Sequence, residues 1–132
     1  MNNASTKEVR DINMDSVQRL NERYNIDVDL FAEMGTNFTV GGAKHNLGSC
    51  FDSREKMKFT TAHNTHDPNK SKYQPGGTGV MIKGPMTQYA RHGSQDPRKL
   101  GRLCSYVSWA NPSHKFRVVV AYNICTGKPK GL

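Results

Sequence analysis

Apolar and polar residues alternate with a period of two between Ile26 and Glu33. Ile26, Val28, Leu30 and Ala32 are interleaved with Asp27, Asp29, Phe31 and Glu33. This is the pattern of a buried strand. It closes on the carboxylate of Glu33 and runs into Gly35, a turn signal. Ahead of it, Val17, Leu20 and Tyr24 recur at i, i+3 and i+7, with Arg19 and Arg23 on the other side. That spacing predicts a helix capped by Asn13 or Asp15, running to about Tyr24 and stopped by Asn25. Residues 1–13 read as a flexible N-terminal segment, and residues 14–132 as a single domain.

Beyond Glu33 the pattern changes. Residues 35–50 are rich in Gly and Asn and read as a loop, with a little strand at Phe38–Val40. Asp52 to Lys58 predicts a short helix opened by Asp52 or Ser53, with Glu55 near its N-terminus. Met57 to His63 reads as a strand with Phe59 and Thr61 on one side, and Asn64 to Pro75 as a long polar loop. Gly76-Gly77 is a turn into a strand over Thr78–Ile82, ended by Lys83-Gly84-Pro85. Met86–Arg91 predicts another strand, and His92–Lys99 a loop. Leu100–Trp109 and Lys115–Asn123 predict an antiparallel hairpin about the turn Asn111-Pro112-Ser113-His114. The expected fold is therefore α/β of an α+β-like kind, mostly β over residues 57–123, with one N-terminal helix.

Composition narrows the partners. A chain of 132 residues is one domain or one piece of a larger one. Hydrophobic residues make up 35% and the mean hydropathy is -0.74, which predicts a thin core, long loops or dependence on a partner. The net charge is +8 and unevenly spread. Residues 1–50 carry five Lys/Arg against seven Asp/Glu, whereas residues 51–132 carry fourteen against four. A basic C-terminal portion favours a polyanion such as nucleic acid; a generally basic surface with no such partner is the plainer alternative. The three cysteines, Cys50, Cys104 and Cys125, form no CxxC and suit reduced thiols. No apolar start suggests a signal peptide, and no run is long enough to span a bilayer. The expected setting is intracellular, cytoplasmic or nuclear.

Several residues are candidates for chemistry. Glu33, a carboxylate at a strand end beside a loop, is of the type that holds a hard cation such as Mg²⁺; a solvated charge is the alternative. His63 and His66 form an HxxH, with His45 and Cys50 near in sequence, but a structural zinc site wants four ligands at recognisable spacing. Gln74-Pro75-Gly76-Gly77-Thr78-Gly79 lacks the GK[ST] of a phosphate loop and reads as a turn. Aromatics stand among bases: Tyr73 by Lys70 and Lys72, Tyr89 by Arg91, and Tyr106 and Trp109 near Arg102 and Lys115. Strand packing accounts for such aromatics, and so does base stacking. Lys70, Lys72, Arg91, Arg102 and Lys115 are the candidate nucleic-acid contacts.

Taken in order, four segments resemble the endonuclease/exonuclease/phosphatase superfamily, especially nuclease-like reading frames of mobile elements. Ile-Asp-Val-Asp-Leu-Phe-Ala-Glu-Met-Gly-Thr-Asn (26–37) resembles the family's strand that ends in a metal-binding Glu. Lys-Tyr-Gln-Pro-Gly-Gly-Thr-Gly-Val (72–80) is similar to a Gly-Gly turn entering a core strand. Leu100-Gly101-Arg102 with Ser105-Tyr106-Val107 resembles the strand that follows. Arg-Val-Val-Val-Ala-Tyr-Asn (117–123) is similar to the strand whose terminal Tyr points into the active site. The resemblance implies a two-sheet α/β sandwich and cleavage of phosphate esters with Mg²⁺ or Mn²⁺. Glu33 would coordinate the metal, and Tyr122 would contact the phosphate or position the nucleophile.

The family's first-strand Asn, its GD-x-N segment and its C-terminal Asp-His pair have no counterpart among these residues. The resemblance therefore implies an incomplete sandwich, the N-terminal half of the family's domain, weakly active or inactive alone because metal-assisted hydrolysis needs the ion, the nucleophile and the developing charge managed together. Two alternatives stand beside this expectation: a basic nucleic-acid-binding module without catalysis, and a structural subunit whose uncovered half sandwich is completed by another protein chain.

Overall fold

A computed structural model describes residues 7–41, 56–66, 71 and 73–123. The helix α1 (Lys7–Tyr24) is followed by β1 (Val28–Ala32), β2 (Met57–Ala62), β3 (Thr78–Lys83), a 3₁₀ turn (Gly84–Gln88), β4 (Ala90–Gln95), β5 (Leu103–Asn111) and β6 (His114–Ala121). These strands make two antiparallel three-stranded sheets, ordered β1-β3-β2 and β4-β5-β6. The sheets stack face to face, with β3 across from β5 and β6, β2 across from β4 and β5, and β1 across from β6. The architecture is the expected one: a small α+β two-sheet fold with an N-terminal helix.

The helix starts at Lys7, well ahead of the cap expected at Asn13 or Asp15. Asp15 instead lies within it and pairs with Arg19 one turn on (2.9 Å). Asn25 does end it, in a left-handed conformation (φ 51), and the Ile26 amide returns to the Asn21 carbonyl (3.1 Å), a Schellman-type close. The face turned to the sheet keeps only Val17 of the three predicted residues. Val17 packs against Phe31, Met34 and Met81, and Asn21 is buried, whereas Leu20 and Tyr24 are 51% and 62% exposed.

β1 likewise departs from a simple in/out alternation, because both faces of its sheet are covered. Phe31 packs on the helix side with Met81, Met34, Met57 and Phe59. Val28 and Ala32 pack on the other side with Val80, Ile82, Cys104 and Val120. Leu30, on that second side but at the sheet edge, is half exposed. Asp29 lies beneath α1, where it accepts from Asn21 Nδ2 (2.8 Å) and stands 4.0 Å from Lys83 Nζ. Burial pushes its carboxyl up, against the opposing pull of the Asn21 hydrogen bond and the Lys83 charge. A cavity of about 210 Å³ opens beside Asn21 and Lys83.

Two predicted elements are displaced. Met86–Arg91 is not a strand: Pro85 begins a 3₁₀ turn whose Thr87 hydroxyl donates to the Gly84 carbonyl (2.7 Å), so β4 starts only at Ala90. It runs on through His92–Gln95, where the sequence predicts a loop. Phe38–Val40 forms a turn rather than a strand, stabilised by Asn37 Oδ1 accepting from the Thr39 amide (3.1 Å). The helix expected from Asp52 to Lys58 lies mostly outside the described residues, as do His45, Cys50, Lys70, Lys72 and Cys125. The β5–β6 hairpin forms as expected, with the Ser113 amide bound to Asn111 Oδ1 (2.8 Å).

The layer between the sheets is thin: Ala62, Val80, Ile82, Ala90, Cys104 and Val120. A Cβ at Gly101 (φ 74) would stand 2.6 Å from the His63 Cα, backbone against backbone. Gly101→Ala is therefore expected to lower stability by about 2 kcal/mol or more, adding left-handed strain to overpacking. Urea unfolding of the variant measures it.

Candidate functional site

β1 ends at Ala32 and leaves Glu33 in a left-handed conformation (φ 53) that costs a residue with a Cβ roughly 1–2 kcal/mol. Gly or Asn would sit there more easily. The backbone beyond is tied down: the Met34 amide donates to the Gly77 carbonyl (3.3 Å) and the Gly35 amide to the Gly76 carbonyl (3.0 Å). Gly76 and Gly77 both have positive φ, so the predicted turn is the feature that grips the residues after Glu33. Asn37, wholly buried, adds a bond from Nδ2 to the Ser71 carbonyl (2.8 Å).

β6 delivers Tyr122 from the other sheet. Its amide extends the ladder past Leu103–Ala121 by donating to the Arg102 carbonyl (2.8 Å), which sets Arg102 opposite Tyr122. Even-numbered residues of β5 and β6, such as Cys104 and Val120, face the first sheet. Arg102 and Tyr122 continue that row at the end of the sandwich. The Tyr122 hydroxyl donates to Glu33 Oε1, joining strands 89 residues apart in sequence. Glu33 and Tyr122, the two residues to which the resemblance gives roles, thus meet, and Arg102 belongs to the same end.

A compact loop supports Arg102. The Asp96 carboxylate accepts from the amides of Leu100 (3.1 Å) and Arg102 (3.0 Å). Partial burial of Asp96 pushes its carboxyl up, but the amides of Leu100, Arg102, Lys99 and Gly101 together outweigh it and hold the carboxyl below the usual aspartate range. Nothing in the spacing Asp96-Pro97 to Arg102 announced this loop beyond the turn-forming dipeptide.

The histidines of the HxxH diverge. His66 Nε2 meets the Arg98 carbonyl (2.9 Å), whereas His63 tilts against Phe38 (5.9 Å between centroids) with both ring nitrogens buried and unbonded. Burial lowers the His63 pKa, favouring the neutral ring. Among the described residues no group of three or more His, Cys, Asp and Glu is placed to hold a metal. Glu33 is of the oxygen-donor type that suits Mg²⁺ or Mn²⁺, yet one carboxylate already engaged by a phenol does not fix such an ion.

Of the candidate nucleic-acid contacts, Arg102 lies at the Glu33–Tyr122 end. Arg91 and Lys115 lie on β4 and β6, and Lys115 Nζ rests over the Trp109 ring (5.3 Å to its centroid). Among the described residues no helix is long and apolar enough to cross a membrane.

Asp96→Ala is expected to destabilise the fold at neutral pH by about 1–3 kcal/mol, the scale of hydrogen bonds to a charged group. Because the native carboxyl sits below its unfolded value, that contribution is full above about pH 4 and fades as the pH falls through the lowered value. Urea midpoints of the two proteins should therefore converge in acid. A double-mutant cycle of Glu33→Gln and Tyr122→Phe should return a coupling of about 0.5–1.5 kcal/mol.

Comparison with protein-family profiles, with curated proteins and with solved structures finds no match for this chain.

Proposed function

We propose that the chain is a nuclease-like phosphodiesterase domain of the endonuclease/exonuclease/phosphatase type, carrying one wall of its site. The observation that carries this reading is the Tyr122–Glu33 hydrogen bond across the sandwich. The resemblance assigns a metal-binding Glu to the end of one strand and an active-site Tyr to the end of another, and those are the two side chains that meet. The left-handed backbone of Glu33 supports it further. A strained non-glycine residue at a strand end is a pointer to function, since the carboxylate is kept where glycine would be easier.

In this reading each residue has a separate task. Tyr122 orients the Glu33 carboxylate, and Arg102, opposite Tyr122, meets the phosphate as a charge-assisted donor. Glu33 would hold part of a divalent cation's shell, and such a cation would supply Lewis-acid activation of the phosphate. The remaining metal ligands and the general base come from outside the described residues or from another protein chain. Activity of the isolated chain is correspondingly weak.

Cleavage of supercoiled plasmid at high protein concentration, with Mg²⁺ or Mn²⁺, tests this. Slow, metal-dependent nicking is expected, reduced at least about tenfold by Glu33→Gln, as for loss of groups that hold or orient a metal. Equal rates in the two proteins, including no cleavage by either, would overturn the reading.

A further inference from the structure

We infer that the outward face of the β4-β5-β6 sheet is a binding platform for single-stranded nucleic acid, separate from the Glu33–Tyr122 end. The strands define that face. Gly93, Gln95, Cys104 and Tyr106 turn toward the first sheet, through the close approach of Gly93 to Thr60, the Gln95 Nε2 bond to the Thr61 carbonyl (2.6 Å) and the packing of Cys104 and Tyr106. Their neighbours in sequence therefore point outward. Ser94 and Ser105 share a hydrogen bond there (2.7 Å), Val107 pairs with His92 on one side and with Arg117 on the other, and Trp109 pairs with Lys115. His92, Ser94, Lys115, Arg117 and Val119 are exposed and Trp109 is half-buried, whereas Ser105 and Val107 on the central strand between them are buried, so the accessible part of the face is its outer strands and the Trp109 end.

The charge on this sheet commits the occupant. Ala90–Gln95, Leu103–Asn111 and His114–Ala121 contain Arg91, Lys115 and Arg117 and no Asp or Glu at all. A polyanion is the complementary partner. Trp109 decides which polyanion. A flat aromatic beside cations suits an unpaired base, because base–aromatic stacking is stronger than an exposed cation–π contact. A base seated on the ring displaces the Lys115 ammonium from it, and the ammonium is then free to meet the adjacent phosphate. Arg117, two residues along the same face, offers the next charge at a step comparable to one nucleotide of an extended strand. A duplex keeps its bases stacked on one another and cannot use the ring.

Trp109 is the chain's only tryptophan, so its fluorescence reports on this face directly. The test titrates a thymidine oligonucleotide of roughly 20 nucleotides, longer than single-domain site sizes, into the whole chain in EDTA. Quenching of Trp109 is expected, with affinity falling as salt rises, and a duplex of equal length should bind more weakly. Lys115→Gln and Arg117→Gln should each reduce the log–log salt slope by about 0.7, and Arg19→Gln, on α1, should not. No binding at low salt, binding without a Trp109 response, equal or tighter duplex binding, or the same loss from Arg19→Gln as from Arg117→Gln would each overturn the platform. Omitting divalent metal keeps this result independent of the nuclease reading, which can fail or hold without it.

Discussion

The close stacking of the two sheets is the constraint on which the rest depends. Small residues, Ala62, Ala90 and Cys104, line the space between them, and Gly93 and Gly101 let backbone and side chain approach where a Cβ would collide. Polar groups cross the same gap. Lys58 Nζ reaches the Ala90 carbonyl (2.8 Å), Gln95 Nε2 the Thr61 carbonyl (2.6 Å), and Thr78 Oγ1 the Gly101 carbonyl (3.3 Å). An apolar layer this thin buries little area, so each such bond, worth about 1 kcal/mol net, matters more than it would in a large core. This is the structural form of the low mean hydropathy.

The same spacing brings Glu33 and Tyr122 within reach. Each lies one residue past the end of its strand, where side chains are released from the pleat but the backbone is still held by the ladder beside it. Glu33 is pinned through Met34 and Gly35 to the Gly76-Gly77 turn, and Tyr122 through its amide to Arg102, itself held by Asp96. Rigid supports of this kind keep a charged group in one orientation at an exposed site, where a lone ion pair or hydrogen bond would wander. The other end of the sandwich carries a different arrangement, a half-buried Asp29–Lys83–Asn21 group under α1, in which Asn21 Nδ2 is bonded to Asp29 while Asn21 Oδ1 is buried without a hydrogen-bond partner.

The molecule then divides its charge by position. The acidic strand β1 and the helix side hold Asp27, Asp29 and Glu33, and the β4-β5-β6 sheet is free of acids. The asymmetry seen along the chain becomes an asymmetry across the sandwich because the two sheets are built from separate stretches of sequence. A polyanion approaching the second sheet meets basic side chains without local carboxylates to oppose them.

Period-two alternation and turn residues were enough to determine the strand from Met57 to Ala62, the strand that begins at Thr78 and the β5–β6 hairpin, and Asn25 marked the helix end. These signals are local, carried by neighbouring residues. The strand-end position of Glu33 and of Tyr122 was legible for the same reason. The 3₁₀ turn at Gly84–Gln88 was not, because Met86–Arg91 has strand-like composition and only the geometry after Pro85 chose otherwise. The buried face of α1 was legible only at Val17: Leu20 and Tyr24 lost to Asn21, because Asp29 and Phe31, distant in the pattern, set what the helix meets. What tertiary structure alone decided was the meeting of Glu33 with Tyr122 and the outward register of Trp109, Lys115 and Arg117. Both depend on how two sheets stack, a long-range choice that no local period encodes.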